Sequence, residues 1–305
     1  MNAGQPFTPS YLSLLESGEL QARVAAAYEL LSPCRTCPRA CGVDRLNRQA
    51  GVCCSGLKAR VASYGPHPGE EAPLSGWRGS GAIFFARCNL RCQYCQNYAI
   101  SQSDAGVEVS PAGLAEIMLE LQRLGCHNIN FVSPTHVAPQ ILAAVLEAAR
   151  AGLRLPLVYN TGGYDSLEML RLLDGVIDIY LPDMKYSSQP LARHYSRARD
   201  YPPVNQAAVR EMHRQVGDLR TTADGLAVRG LMVRHLVLPF GLAGTAEVVR
   251  FLAEEISAGT YLNLMDQYHP DYNARRYSKL ARRIKPEEYA QAMEMARQAG
   301  LKTLA

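Results

Sequence analysis

The sequence predicts an α/β fold: a partial (β/α)6 barrel of the TIM type, with parallel strands, preceded by a cysteine-rich metal-binding extension. From about residue 82 onward, short apolar segments alternate with amphipathic helical segments, and six such units are present rather than eight. The extension is indicated by the cysteines, because eight of the nine lie between Cys34 and Cys95. We therefore divide the chain into residues 1–78, a helix plus the cysteine-rich segment, and residues 79–305, the barrel.

Six segments have the apolar, β-branched or aromatic composition of buried strands. They are residues 82–86, 128–133, 155–160, 177–183, 231–238 and 261–267. Helical patterns lie between them, a long insert at residues 186–228 interrupts the alternation, and a final helix is predicted from about residue 286 to 298. Strands that alternate with helices pair in parallel, so their carboxyl ends meet at one face of the barrel, where such folds place their sites.

Composition limits the functional classes. The chain has 305 residues, a net charge of +4 and scattered lysines and arginines, which does not favour a nucleic-acid partner. Its first residues have no secretory pattern and no run of eighteen apolar residues occurs, so we expect a cytoplasmic protein without a membrane span. Because disulfides are exceptional in a reducing compartment, crowded cysteines there indicate metal binding.

Three cysteines follow the first predicted strand with the spacing C-x3-C-x2-C: Cys88, Cys92 and Cys95. Three thiolates on one loop can bind three irons of a cubane cluster and leave one iron open to another ligand. The alternatives are a zinc site completed by a distant ligand and a thioredoxin-like Cys92–Cys95 pair, which leaves Cys88 unexplained. The strand-end context favours the cluster.

The segment "CNLRCQYC" resembles the signature of the radical S-adenosylmethionine (SAM) superfamily. Residues 79–305 are similar to that superfamily, and "GSGAIFFARCNLRCQYCQN" and "RHLVLP" resemble the branch related to pyruvate formate-lyase activating enzyme. The resemblance implies a [4Fe–4S] cluster, SAM on its open iron, reductive cleavage to a 5′-deoxyadenosyl radical that abstracts hydrogen from a substrate, and an external electron donor such as flavodoxin or ferredoxin.

The same resemblance implies that SAM is bound by residues at strand ends. These are Tyr94, Ser133, Thr135, Asn160, Thr161, Asp183, Lys185 and His235. Tyr94 matches the aromatic residue that lies against adenine, and residues 133–135 replace a glycine-glycine-glutamate motif that this chain lacks. In "RHLVLP" we expect His235 rather than Arg234 to face the pocket. The alternatives are packing, turn and surface ion-pair roles for the same residues.

A second group of cysteines has the pattern Cys34-x2-Cys37-x3-Cys41, followed by Cys53 and Cys54. Four of these thiolates can make a closed site for zinc or a four-thiolate iron–sulfur cluster, and unliganded buried cysteines are the alternative. The segment also resembles the N-terminal region of an uncharacterised subgroup of the superfamily, which selects Cys53 over Cys54 as the last ligand.

The substrate is left open by the sequence. A small molecule or a peptide is one hypothesis, and activation of a glycyl radical enzyme through a peptide loop is another. A protein of a different class, an iron–sulfur electron carrier without its own substrate or a zinc-structured binding protein, is a further alternative. Six strands that end in polar residues favour an enzyme, since a carrier needs no pocket.

Overall fold

The computed structural model describes residues 7–47, 49–301 and 303–304, and its strands join one main sheet. The strands in chain order are β1 (Ala59–His67), β2 (Ser80–Phe85), β3 (Val107–Val109), β4 (Ile129–Val132), β5 (Leu157–Thr161), β6 (Ile179–Pro182), β7 (Arg220–Thr221), β8 (Ala227–Leu236), β9 (Tyr261–Met265) and β10 (Thr303–Leu304). Their order across the sheet is β10-β9-β8-β6-β5-β4-β2-β1-β3, and β7 pairs with β8.

Helices connect most of these strands. They are α1 (Tyr11–Glu16), α2 (Glu19–Glu29), α3 (Ala72–Ser75), α4 (Tyr98–Ser101), α5 (Pro111–Arg123), α6 (Ala138–Arg150), α7 (Leu167–Leu172), α8 (Gln189–Ser196), α9 (Tyr201–Val216), α10 (Thr245–Phe251) and α11 (Pro286–Gln298). Two begin at serine caps: Ser110 Oγ accepts from the Gly113 N–H, and Ser166 Oγ from the Met169 N–H. In the part of the chain that the structure describes, every helix is too short or too polar to cross a membrane.

The six predicted strands are present and pair in parallel as β2, β4, β5, β6, β8 and β9. The register aligns Ile83 with Phe131, Phe131 with Tyr159 and Tyr159 with Tyr180. This confirms an α/β fold with a mostly parallel sheet, and it brings the carboxyl ends of six strands to one face.

Two strands that the sequence did not predict, β1 and β3, extend the sheet beyond β2. β1 pairs antiparallel with both β2 and β3. It lacks a clear strand signal because it contains Gly65 and Pro66 and buries only Ala59 and Val61. The boundary at residue 78 stays a prediction, and residues 1–6 and 305 of the two predicted domains lie outside the described residues.

The connection between β1 and β2, residues 68–79, fills the interior of the barrel, and we call it the β1–β2 segment. The side chain of Leu74 is fully buried in a cluster that includes Val158, Ile179 and Met232. Asn128 Nδ2 donates a hydrogen bond of 2.9 Å to the Leu74 carbonyl. The barrel is therefore packed from below, and any cavity opens toward the carboxyl ends of its strands.

Helices α1 and α2 pack outside the barrel, near the amino ends of its strands. Asp178 Oδ1 accepts hydrogen bonds from the backbone N–H and the hydroxyl of Ser10, at 3.1 and 2.9 Å. Arg229 also donates to the Ser10 hydroxyl, and the Tyr11 hydroxyl donates to the Leu155 carbonyl. These contacts fix the first helices on the side opposite the strand carboxyl ends.

Candidate functional site

A cavity of about 530 Å³ opens at the carboxyl ends of the parallel strands. Every one of the six parallel strands, or the loop after it, contributes to its wall, and the β1–β2 segment contributes as well. The polar and sulfur-bearing lining residues are His67, Glu70, Glu71, Cys88, Cys92, Tyr94, Cys95, Gln96, Asn97, Ser101, Gln102, Ser133, Asn160, Thr161, Asp183, Lys185, Arg234, Asn263, Met265 and Gln267. The volume is that of a site for small molecules.

The three cysteines of the C-x3-C-x2-C loop all line this cavity. Cys92 Sγ accepts a hydrogen bond of 3.0 Å from the Ser196 hydroxyl, and Cys88 Sγ accepts one of 3.4 Å from the Leu90 N–H. Cys95 Sγ lies 3.2 Å from the Ser101 hydroxyl oxygen. Burial raises the pKa of Cys88 to about 12. Thiolates that bind iron carry a buried negative charge, which is costly. The hydrogen-bond donors that already point at these sulfur atoms compensate for that cost.

Helix α8 holds the cysteine loop in place. The Arg91 N–H donates to the Ser196 carbonyl at 3.1 Å, and the Gln93 N–H donates to the Tyr195 carbonyl at 2.7 Å. Tyr94, only 5% exposed, lines the cavity and packs edge-on against Tyr186 and Tyr268. Its ring is therefore fixed at the cavity wall, and its contact with adenine stays a prediction.

Asp183 and Lys185 follow β6 and form an ion pair at the cavity wall, with Nζ and Oδ2 2.5 Å apart. Burial opposes the charge of Lys185, but the Asp183 carboxylate and nearby groups raise its pKa well above the usual value. The lysine is therefore a fixed cation beside the cysteine loop, and its charge in turn counteracts the burial that raises the pKa of Cys92.

Helix α9 fixes the ends of β5 and β6, a role that the sequence pattern did not reveal. The Tyr201 hydroxyl accepts from the Lys185 N–H at 3.1 Å and lies 2.8 Å from the Gly162 carbonyl oxygen and 2.9 Å from that of Asp183. Asn205 Nδ2 donates to the carbonyls of Gly163 and Asp183, each at 2.9 Å. A Cβ at Gly163, where φ is +75°, would lie 2.1 Å from the Asp183 carbonyl oxygen, so this turn requires glycine.

Arg234 forms a buried network with two glutamates of the β1–β2 segment. Its Nε and Nη2 donate to the two carboxylate oxygens of Glu71 at 2.6 and 2.7 Å, and Nη2 also donates to Glu70 Oε2. Asn263 Nδ2 donates to Glu71 Oε1 at 2.9 Å, and Arg234 Nη1 donates to Asn160 Oδ1 at 3.3 Å. Burial opposes the ionisation of Glu71, but Arg234 and Asn263 lower its pKa, so it is a carboxylate.

Two expected cofactor residues do not line the cavity. On β8 it is Arg234, not His235, that faces it, which corrects the expectation from the sequence. The ring of His235 is fully buried on the other side, with Nδ1 2.6 Å from the Met184 carbonyl and Nε2 3.0 Å from the Thr245 hydroxyl. Arg234 faces inward because the glutamates that neutralise it lie on the β1–β2 segment, which the strand pattern does not reveal.

Thr135 is the second correction. Its hydroxyl is buried, donates to Asp165 Oδ1 at 2.7 Å and lies 2.9 Å from the Thr161 hydroxyl, so it supports Thr161 from behind the cavity wall. Ser133 does line the cavity, and its φ of +60° is in the left-handed region that favours glycine. A left-handed backbone here matches the place where the superfamily has a glycine-rich motif.

The N-terminal cysteines lie beside the cysteine loop. Cys34, Cys37 and Cys53 are buried and Cys54 is exposed. Burial raises the pKa of Cys37 to about 12, and the nearby Cys53 and Cys34 thiols raise it further. The side chain of Asn89 counteracts the rise in the pKa of Cys37 and accepts a hydrogen bond of 3.8 Å from the Cys88 thiol.

The spacing between these sulfur atoms is wider than a single metal ion requires. Within residues 7–47, 49–301 and 303–304, no three His, Cys, Asp or Glu side chains stand close enough together to hold one ion, and this applies to the C-x3-C-x2-C loop as well. Cys41 Sγ packs against Gly51, where a Cβ would lie 2.7 Å from the sulfur. The glycine therefore lets the two arms of the cysteine-rich loop approach each other.

The parallel α/β barrel with a three-cysteine loop at its strand ends was compared with known protein families. The model of the radical SAM superfamily matches residues 82–216 of the chain. Members of this superfamily are enzymes, and the superfamily implies a [4Fe–4S] cluster and SAM. The matched residues include the cysteine loop and the ends of β4, β5 and β6.

Two individual proteins are similar to this chain in sequence or in fold. Over 298 residues the chain is 28% identical to an uncharacterized protein of Methanocaldococcus jannaschii, covering 93% of this chain and 80% of that protein. A radical SAM methyltransferase from Sphaerobacter thermophilus shares the fold, with a TM-score of 0.50 and 12% identity over 73% of this chain. The match spans 65% of the methyltransferase, slightly less than two thirds of its length.

Proposed function

We propose that the protein is a radical SAM enzyme that cleaves SAM reductively at a [4Fe–4S] cluster and acts on an organic substrate bound in the cavity. This proposal rests on one observation: Cys88, Cys92 and Cys95 line the same cavity as the polar ends of the six parallel strands. The cluster and SAM, when bound, supply a 5′-deoxyadenosyl radical that abstracts hydrogen. The protein supplies position, charge and exclusion of water.

The residues that fit each part of the cofactors are distributed around the cavity. We assign the three irons of the cluster to Cys88, Cys92 and Cys95, whose sulfur atoms face the cavity. The charged pair of Asp183 and Lys185 offers one partner for an ammonium and one for a carboxylate, which are the two charged groups of methionine. Tyr94, Thr161 and the backbone at Ser133 complete the assigned SAM wall.

The positions that do not reach the cavity have supporting roles in this proposal. Thr135 holds the hydroxyl of Thr161 through the buried Asp165 carboxylate. His235 joins β8 to the β6 end and to α10 through its two ring nitrogens. The finer likeness to pyruvate formate-lyase activating enzymes, and with it activation of a glycyl radical enzyme by contact with a peptide loop, rests on the sequence motifs alone.

We also propose a second metal site at Cys34, Cys37, Cys41 and Cys53, for zinc or an iron–sulfur cluster. Three of these residues are buried, and the choice of Cys53 over Cys54 is supported by their opposite exposure. Loading would bring the four sulfur atoms together. Asn89 contacts cysteines of both groups, so a metal here would lie directly behind the cysteine loop. Electrons for the first cluster come from an external donor, such as flavodoxin or ferredoxin.

The test uses anaerobically reconstituted protein with SAM and dithionite, and it measures 5′-deoxyadenosine. We expect product from the wild type and none from Cys92→Ala, because the cluster loses one of three ligands. Cys126→Ala is the matched control, since Cys126 is buried near the amino end of β4 and should leave the yield unchanged. Product from Cys92→Ala would contradict the proposal. An electron carrier without a substrate predicts that SAM does not change the EPR spectrum of the reduced cluster.

A further inference from the structure

The charged groups of the cavity do not balance. Asp183 and Lys185 neutralise each other, but Arg234 faces two carboxylates, Glu70 and Glu71. The side chains of the two glutamates are 6% and 3% exposed, so water screens this excess weakly. One uncompensated negative charge in a nearly dry corner favours a ligand with a positive charge.

The hydrogen bonds show where such a ligand would bind. Both carboxylate oxygens of Glu71 accept from Arg234, and Oε1 accepts from Asn263 as well. Glu70 accepts through Oε2 from Arg234, and within the described part of the chain no donor reaches its Oε1. Glu70 Oε1 is therefore an acceptor that remains available to a molecule in the cavity.

A second, independent observation comes from Asn160 at the end of β5. Its side chain lines the cavity and the residue is 7% exposed. Asn160 Oδ1 accepts from Arg234, but in the described residues its Nδ2 is buried and has no hydrogen-bond partner. A buried donor without an acceptor is costly, so this amide indicates a ligand that brings an acceptor oxygen to it.

The corner adjoins the surface assigned to SAM, because Arg234 pairs in the sheet with Asp183. Asn160, which the sequence resemblance gives to SAM, is assigned to the corner instead through its bond from Arg234. The Asp183–Lys185 pair, whose charges act on Cys92, already offers partners for the methionine end. Glu70 and Glu71 lie on the β1–β2 segment, outside residues 82–216 that match the superfamily model.

We infer that Glu70, Glu71 and Asn160 bind the substrate of the radical reaction, and that this substrate carries a protonated amine next to a carbonyl oxygen, as in an α-amino amide or an aminoacyl group. The inference rests on the proposed function, because a substrate site has meaning only if the cavity performs the reaction. The amine lies against the free oxygen of Glu70, and the carbonyl accepts from Asn160 Nδ2.

The first test compares two probes of the same shape. Alaninamide carries an ammonium group where lactamide carries a hydroxyl. Binding to the full-length protein without cluster or SAM is measured by saturation-transfer NMR titration at low salt, at a pH where the amine is protonated. We expect alaninamide to bind at least about tenfold more tightly, a difference of about 1.4 kcal/mol. Equal binding of the two probes, or no binding of alaninamide, overturns the inference.

Variants then locate the site. Glu70→Gln should remove the preference for alaninamide, whereas Glu116→Gln, at an exposed position on α5, should retain it. A preference that survives in Glu70→Gln, or is lost in Glu116→Gln, overturns the inference. Circular dichroism checks that each variant folds. The comparison of alaninamide with lactamide on the wild type tests the inference even if a variant does not fold.

The outcome is independent of the test of SAM cleavage. Absence of 5′-deoxyadenosine in the reconstituted wild type would refute the proposed function, even if alaninamide binds as expected. Product formation together with equal binding of the two probes would refute the amine site and leave SAM cleavage intact. The two failures are therefore distinguishable.

Discussion

The hydroxyl of Tyr201 offers a sharp test of how the strand ends are held. Tyr201 is fully buried, and its hydroxyl accepts from the Lys185 N–H and bridges the carbonyls of Gly162 and Asp183. Tyr201→Phe removes this oxygen without changing the ring. The Asp183 carbonyl keeps its bond from Asn205, but the Lys185 N–H and the Gly162 carbonyl lose their partner.

The expected cost follows from those two groups. Each buried polar group left without a partner costs about 1–3 kcal/mol, so we expect Tyr201→Phe to lower the free energy of unfolding by about 2–6 kcal/mol. The measurement is urea denaturation of the protein without cofactors, read from the midpoint at constant slope. Because Lys185 loses an anchor, the affinity for SAM should fall as well.

Tyr195→Phe is the matched control. Tyr195 is 5% exposed, and in the described residues its hydroxyl makes no hydrogen bond, so the same chemical change should stay within about 0.5 kcal/mol. An equal loss in both variants would refute the reasoning, because the effect would then come from the loss of any tyrosine hydroxyl. A loss confined to Tyr201→Phe would show that α9 sets the positions of the β5 and β6 ends.

Two further predictions concern proton and metal binding. Burial lowers the pKa of His235 to about 4 from 6.5, so its contribution to stability is complete above pH 6.5 and is lost as the pH falls toward 4. The free energy of unfolding should fall by about 3 kcal/mol over this range in the wild type but not in His235→Gln, when it is measured as a function of pH. Parallel pH profiles of the two proteins would contradict the prediction. Reconstituted wild type should contain either about four irons and one zinc or about eight irons per chain. Cys37→Ala should lose the zinc or about four of the irons, Cys126→Ala should lose neither, and an unchanged metal content in Cys37→Ala would exclude the N-terminal site.

The parallel strands were predictable because their signal is local. A buried parallel strand is a short run of apolar residues between turns, and each of the six has one. β1 was missed since its residues alternate weakly and include Gly65 and Pro66, so its pairing with β2 depends on the fold around it. Secondary structure imposed by neighbours in space leaves little trace in the residues themselves.

In the candidate site, too, the features with a local sequence signal were predictable, and those that depend on distant residues were not. The cysteine loop is encoded in a spacing of eight residues, and Asp183 and Lys185 follow a strand directly. Glu70 and Glu71 precede the first parallel strand. Arg234 lies 163 residues after Glu71 in the chain, so no local sequence pattern connects them. The orientation of Arg234 and His235 was reversed for this reason, because an alternating strand pattern gives two faces but not which one meets a distant charge.

The attachment of the first helices has a consequence for the order of events during synthesis. The bonds from Ser10 to Asp178 join residues 168 positions apart, and the bond from Arg229 to Ser10 joins residues 219 positions apart. At roughly 5–20 residues per second, the ribosome needs on the order of 10–30 s between making Ser10 and its first anchor. Cys34 and Cys37, which are buried in the finished fold, are synthesised early in that interval and before the parallel strands of the barrel. The thiols are thus open to incoming metal, and to oxidants, before the barrel covers them.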